Sequence, residues 1–252
     1  MKRWLFILLA VAAVMVPGRS FALLGLVSVE GAVGGFMPTP SGDFQYNGGT
    51  SGDVESILGF DDEVFPAARL RVELPLVIPN VYLMTTPMEF EGNLTEEFKF
   101  GDDTFTANSE TKLTLEQYDI GLFYGVPFVG LATLGRVGLD VGLNVRVLDM
   151  EAEMTDSVSS ETRTESVTVP VPMLFVAGQL NLIGGFALEA EVRGLDVSYA
   201  RIISAIGRVK YNTMGPFFVA AGYRHEEVEV DEDDFDVDLT FAGPFAEVGF
   251  SF

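Results

Sequence analysis

From Arg136 to Val147 the chain alternates without a break for 12 residues. Val137, Leu139, Val141, Leu143, Val145 and Val147 alternate with Arg136, Gly138, Asp140, Gly142, Asn144 and Arg146. Period two places the apolar set on one face of a strand and the polar and small set on the other. Twelve residues is about the length a tilted transmembrane strand requires. The same pattern recurs in Leu70-Val72-Leu74-Leu76, Tyr118-Ile120-Leu122-Tyr124, Phe186-Leu188-Ala190-Val192 and Phe217-Val219-Ala221-Tyr223. No sustained 3.6-residue periodicity follows Ala22. The chain is 48 % apolar, yet no long apolar run occurs beyond its first residues. Its apolarity is therefore spread in short alternating pieces, which excludes a helical bundle and points to an all-β chain.

The amino terminus has a different grammar. Lys2 and Arg3 precede an apolar run from Trp4 to Val16, and Ser20-Phe21-Ala22 supplies small residues where a signal peptidase cleaves. Thirteen apolar residues are too few to span a bilayer that needs about 20. The expected division is a signal peptide over 1–22 and one barrel domain over 23–252.

Ten strands are expected, at 24–37, 66–76, 80–92, 111–126, 135–152, 165–181, 185–199, 203–212, 216–230 and 237–252. Short connections at 77–79, 127–134, 182–184 and 213–215 contrast with longer polar ones at 38–65, 93–110, 153–164 and 231–236, and a tight one lies near 200–202. That contrast matches an antiparallel transmembrane β-barrel with short periplasmic turns and long outer loops. Alternation slips around Gly194 and Ile202-Ile203, and reading 185–212 as one irregular excursion gives eight strands instead. Pro170 and Pro172 fall in the inward phase of this reading, and a proline cannot donate to the ladder, so the strand is expected to be bulged or locally unpaired there. Aromatics such as Tyr82, Phe90, Tyr118, Tyr124, Phe175, Phe217, Tyr223 and Phe245 supply candidates for interfacial girdles. A soluble barrel would turn its aromatics inward instead.

The chain ends on Val248, Phe250 and Phe252 at alternate positions, opposite Glu247, Gly249 and Ser251. A lipid-facing final strand with a terminal aromatic resembles the signal read by the barrel-assembly machinery. The closing strand must pair with the first to remove both sheet edges.

Charge narrows the function. The chain holds 15 Lys+Arg against 37 Asp+Glu, and loss of Lys2, Arg3 and Arg19 leaves −25. That balance argues against binding of nucleic acid or of anionic lipid as the main role, because both need cationic surface. There is no cysteine, hence no disulfide and no thiolate metal site.

Pro40-Ser41-Gly42-Asp43-Phe44-Gln45-Tyr46-Asn47-Gly48 and Leu58-Gly59-Phe60-Asp61-Asp62-Glu63 resemble the first outer loop of a family of small proteobacterial outer-membrane β-barrel proteins. Ala221-Gly222-Tyr223-Arg224, Asp236 to Phe241, Gly243-Pro244-Phe245 and Phe252 resemble that family's closing hairpin. The resemblance covers nearly the whole chain after residue 22. It implies a barrel in the bacterial outer membrane and carries no activity, since the family's function is unassigned.

Strand phase sends Arg69, Arg71, Arg136, Arg146, Arg193, Arg208, Lys210 and Arg224 inward, together with Glu73, Glu89, Glu91, Asp119, Asp140, Glu189, Glu191 and Glu226. Charges confined in a narrow lumen are expected to pair, because an unpaired one is costly to desolvate. The expected result is a plugged lumen with a structural or surface-interaction role. A narrow conduit whose pairs open for a small solute is the alternative. The acidic surplus falls in outer loops, at 61–63, 96–97 with 102–103, and 231–238. Those clusters suit divalent cations shared with lipopolysaccharide, although none has EF-hand spacing. Outer-membrane lipid is the implied surroundings. Ten strands is also the strand number of the omptin proteases, but the single histidine, His225, lacks an Asp-x-His pair and a companion serine. No catalytic, cofactor or metal site is assigned.

Overall fold

A computed structural model describes residues 27–252 apart from 47–49, 76, 101–102, 198–199, 214 and 233–234. The expected signal peptide lies outside the described residues. The strands are β1 (Ser28–Phe36), β2 (Thr39–Tyr46), β3 (Gly52–Asp53), β4 (Phe65–Glu73), β5 (Asn80–Asn93), β6 (Phe98–Phe100) and β7 (Asp103–Phe105). Then follow β8 (Glu110–Gly125), β9 (Val137–Thr155), β10 (Thr162–Asn181), β11 (Phe186–Val197), β12 (Ala200–Asn212), β13 (Phe217–Glu232) and β14 (Phe235–Ser251), with a short helix α1 (Pro127–Ala132) before β9.

Ten of these form a closed antiparallel barrel in the order β1-β4-β5-β8-β9-β10-β11-β12-β13-β14, and β14 returns to β1. Closure runs from Glu30↔Ser251 to Phe36↔Phe245, and Val29 and Phe252 exchange N–H···O bonds of 3.0 and 2.9 Å at its end. The count of ten holds. The doubtful pair is regular: β11 and β12 keep one register from Phe186↔Tyr211 to Val197↔Ala200.

Two expectations about strands are corrected. The segment after residue 37 is not all loop, because β2 pairs with β14 from Thr39↔Ala242 to Tyr46↔Phe235 in the register β1 already set. Met37 and Pro38 interrupt one long stave, since Pro38 has no N–H to give. Pro170 and Pro172 point outward rather than inward: Val171, Met173 and Phe175 are the buried residues of that stretch. Of the two irregularities expected at the prolines, the bulge is absent, for β9 and β10 pair without a slip from Thr162↔Thr155 to Leu180↔Val137, while local unpairing is found toward β11. A proline fits a continuous ladder only where its nitrogen faces away from that partner. Here it faces β11, whose pairing with β10 begins only at Leu174↔Gly194.

The polarity of the two faces reverses along each stave. On β9 the outward residues Leu139, Val141, Leu143, Val145 and Val147 give way to Asp149, Glu151 and Glu153, while inward Asn144 and Arg146 give way to Leu148 and Met154. On β8 outward Ile120 and Leu122 are half exposed, inward Asp119 and Gln117 are buried, and inward Leu115 and Leu113 follow above them. The lower storey therefore has a polar lumen and an apolar exterior, and the upper storey the opposite. From Val137 to Val147 the apolar exterior rises roughly 25 Å, from about 3.3 Å per residue at a tilt near 40°. That height matches the lipid-facing band of an outer-membrane barrel. The aromatics divide accordingly: Tyr82, Phe90 and Phe175 are buried in the interior, whereas Tyr124, Phe217 and Tyr223 are exposed outside.

An arginine at Val141, midway up the band, should cost about 2–4 kcal/mol of unfolding free energy. Denaturant titration of protein refolded into vesicles measures it, with Glu151→Arg on the same face of β9 as the near-neutral comparison. Equal stabilities for the two variants would invert the assignment of storeys.

A charge layer and an aromatic plug in the lumen

The lower lumen is packed with seven cations, Arg69, Arg71, Arg146, Arg193, Arg208, Lys210 and Arg224, and eight carboxylates, Glu30, Glu73, Asp119, Asp140, Glu189, Glu191, Glu226 and Glu247. At its top, Arg146 Nε and Nη2 donate to the two oxygens of Asp119 at 3.1 and 2.9 Å, and Asn144 Nδ2 donates to Asp119 Oδ1 at 2.6 Å. Arg146 Nη1 reaches across the barrel to Glu226. Glu226 also accepts from Arg224 Nε and Ser204 Oγ, both at 2.6 Å, and Arg224 donates onward to Thr86 Oγ1 at 2.6 Å and Gln117 Oε1 at 3.0 Å. The charges come from β8, β9 and β13 and their neutral partners Thr86 and Ser204 from β5 and β12, so the layer ties opposite walls together.

Below it, Glu191 accepts from Arg193 Nη2 at 2.7 Å and from Arg208. Arg69 joins Glu30 at 2.7 Å and Glu247 at 2.8 Å, and Lys210 binds Glu30 and, at 3.2 Å, Glu189. Nearest the lower opening, Arg71 serves both Glu73 and Asp140 at 2.8 Å. Aromatic faces complete the desolvated cations: Arg193 lies 4.7 Å from the Tyr82 centroid and 5.4 Å from Phe175, Arg71 lies 4.5 Å from Phe123, and Lys210 lies 4.5 Å from Phe218.

The charges leave a cavity of about 250 Å³ at this end, lined by Glu30, Arg71, Glu73, Asp140, Glu189 and Lys210 among others. Above, the lumen is closed by a second device. Among the described residues eighteen buried apolar side chains form one cluster, to which the strands contribute Phe36, Phe65, Phe90, Leu115, Leu148 and Phe241. The long connections 54–64 and 94–109 supply Val54, Leu58, Phe60, Leu94, Phe98 and Phe105 to the same cluster. Phe90 packs edge-on to Phe65 at 4.9 Å and stacks on Phe241 at 5.5 Å.

Three sequence assignments fall outside this layer. Arg136 is exposed in the turn ahead of β9 and makes no ion pair among the described residues. Glu89 and Glu91 lie on the outer wall, where Lys112 bonds them at 3.1 and 3.5 Å. On that strand Tyr82, Thr86, Met88 and Phe90 take the inward phase, so Glu89 and Glu91 share the outward face of Leu83 and meet water in the upper storey. Conversely, Glu30 and Glu247 belong to the layer and were not assigned to it. Glu247 had a legible signal, since it opposes Val248 and Phe250 in phase. His225 faces outward, 3.6 Å from Glu227. Among the described residues no group of His, Cys, Asp or Glu converges as a metal site.

At the carboxyl terminus Val248 and Phe252 are outward and exposed, while Phe250 is only 7 % exposed. Its ring lies across Gly31 of β1, where a Cβ would sit 2.8 Å from Phe250 Cε1, and it packs 5.3 Å from Phe252. Phe250 is thus pressed onto the closing seam.

One outer-loop carboxylate is a structural anchor. Asp156 accepts the backbone N–H groups of Ser159 at 2.7 Å, Thr106 at 3.0 Å and Val158 at 3.0 Å, joining the β9–β10 loop to the β7–β8 loop. Those N–H groups hold its carboxyl well below the usual carboxylate range.

A closed antiparallel barrel with a bilayer-high apolar band, a polar charge-paired lumen and long connections at one end defines an outer-membrane β-barrel. No family model matches the chain, and no curated protein matches it in sequence. Among solved structures it is similar to the attachment invasion locus protein Ail of Yersinia pestis (9 % identity, 90 % of this chain and 99 % of that one, TM-score 0.40). It is similar also to a major outer membrane protein of Thermus thermophilus (11 %, 89 % and 99 %, 0.37) and to Neisserial surface protein A (10 %, 90 % and 97 %, 0.31).

Removing one member of the top layer strands its partner. Arg146→Met should destabilise the barrel by about 3–5 kcal/mol, and adding Asp119→Asn and Glu226→Gln should recover a large part of that loss. Additive losses on denaturant titration would refute the coupling. For Asp156 the folded pKa is depressed, so its contribution is present above the unfolded value of 3.8 and fades as pH falls through the lower folded value. The amide shifts of Thr106, Val158 and Ser159 should stay flat through the ordinary carboxylate range and move only in stronger acid. A midpoint near 3.8 would contradict the anchor.

Proposed function

We propose that this barrel is a non-conducting surface protein, whose lower storey anchors it in lipid and whose upper storey holds outer loops rigidly for contact outside the cell. The observation that carries this reading is the double closure of the lumen, by a layer of charge pairs and then by an apolar cluster that incorporates two outer loops. A pore kept for traffic would have little use for Phe60, Leu58 and Phe98 in its path. The exterior above the band carries Asp61, Asp62, Glu63, Glu96, Glu97, Glu151 and Glu153, all solvent-facing. Such a surface suits divalent cations shared with lipopolysaccharide phosphates, and a cationic partner beyond them. The loop cluster at 231–236 has side chains outside the described residues.

A second reading, a gated conduit for a small solute, draws support from the charged cavity below the Arg146 layer. It requires both closures to open.

The carboxyl terminus serves assembly in this proposal. The exposed aromatic of Phe252 is offered to the barrel-assembly machinery, whereas its backbone closes the seam. Phe252→Ala keeps the backbone bonds to Val29, so it should refold unaided in detergent yet insert poorly in cells. Normal insertion in cells would remove the assembly role.

Refolded protein in a planar bilayer should show no discrete conductance steps, and deleting the loop segment 54–60 alone should leave the charge layer still closed. Steps in the wild-type protein, altered by Asp119→Asn or Glu226→Gln, would overturn the proposal in favour of the conduit.

A further inference from the structure

The lower rim of the barrel carries an apolar surface that the lumen does not explain. On three successive hairpin turns, β4–β5, β8–β9 and β10–β11, large apolar side chains stand in the open: Val77 85 %, Phe128 78 %, Leu131 74 %, Leu134 93 % and Ile183 90 % exposed. Leu134 also holds φ at 52°, a left-handed conformation that a leucine rarely adopts. No buried residue belongs to α1, so the helix spends no side chain on the barrel's interior. In water so much exposed apolar surface would be unfavourable.

The charges at this rim are equally uneven. The chain has 37 acidic residues, yet 74–79, 126–136, 182–185 and 213–216 contain none, and their one charge is Arg136. The exposed turn residues continue the lipid-facing band directly, from Leu139 and Val137 on β9 and from Leu188 and Phe186 on β11. We propose that the turn carrying α1, with its two flanking turns, lies in the inner leaflet of the outer membrane. Phe128, Leu131, Leu134, Val77 and Ile183 would rest among the upper acyl chains, and Arg136 would face phospholipid phosphate. Continuity with the band, the absence of acids that phosphate would repel, and a lone cation at headgroup depth all favour phospholipid as the occupant.

Tryptophan scanning tests this in vesicles that contain no other protein. In a Trp4→Phe background each introduced indole is the only one. Phe128→Trp, Leu131→Trp and Ile183→Trp are read separately, with Leu143→Trp in the band and Val158→Trp in the outer loop as references. Heat-modifiable gel mobility selects folded protein. The expected result is blue-shifted emission at the turn sites, and quenching by brominated phosphatidylcholine–phosphatidylglycerol of the same order as at Leu143. Val158 should be quenched by iodide instead. Iodide-accessible, lipid-insensitive emission at the turn sites would overturn the proposal and leave the rim as a docking surface for a periplasmic protein.

Discussion

In hydrocarbon no backbone N–H can be left without a partner, and everything else in this molecule follows from how its ladder is closed. The seam between β1 and β14 is the step that removes the last two edges. It is built with care on both faces. Outside, Phe250 lies over Gly31; inside, the Phe218 ring occupies the space where a Cβ on Gly249 would stand, 2.4 Å from Phe218 Cζ. Glu247 and Glu30, from the two seam strands, share Arg69 just above. Closure is thus reinforced by backbone bonds, aromatic packing and an ion-pair bridge at one place.

Closure fixes strand phase, and phase then has to serve two solvents. In the lipid band outward positions must be apolar, so the polar residues of each stave are driven inward. There seven cations and eight carboxylates pair with one another, helped by Asn144, Ser204, Thr86, Gln117 and a few aromatic faces, and breaking one pair leaves a stranded charge. Above the band, water surrounds the same staves, and the hydrophobic effect selects the opposite phase. The change occurs within a single step at Arg146 and Leu148 on β9, both inward and both buried. The loops that fold onto the upper lumen are held by this inversion rather than by contact with the wall's exterior.

Much of the architecture was legible because period two is a strong signal where lipid enforces it. Val137 to Val147, Ile120 with Leu122, and Phe217 to Tyr223 were assigned to the correct face, and the ten-strand count followed from turn spacing. The errors have separate causes. Glu89 and Glu91 share the outward phase of Leu83, and only the packed Met88 and Phe90 reveal that acids take that face above the band. Pro170 and Pro172 take the outward phase at band level, opposite Val147 and Val145, because Val171 and Met173 pack inside. Arg136 begins the cleanest alternation in the chain yet sits before its strand. Pairing partners across the barrel, such as Arg146 with Glu226, have no sequence signature, being 80 residues apart and joined only by closure.

The inversion of polarity is the central claim, and a nitroxide scan of the outward positions of β9 addresses it most directly. Spin labels at Leu139, Leu143, Val147, Glu151 and Glu153 in vesicles would be read by their relative accessibility to oxygen and to a water-soluble nickel chelate. The account predicts oxygen-dominated labels through Val147 and chelate-dominated labels from Glu151 upward. Oxygen dominance continuing through Glu153 would place the upper storey in lipid and contradict the two-solvent design.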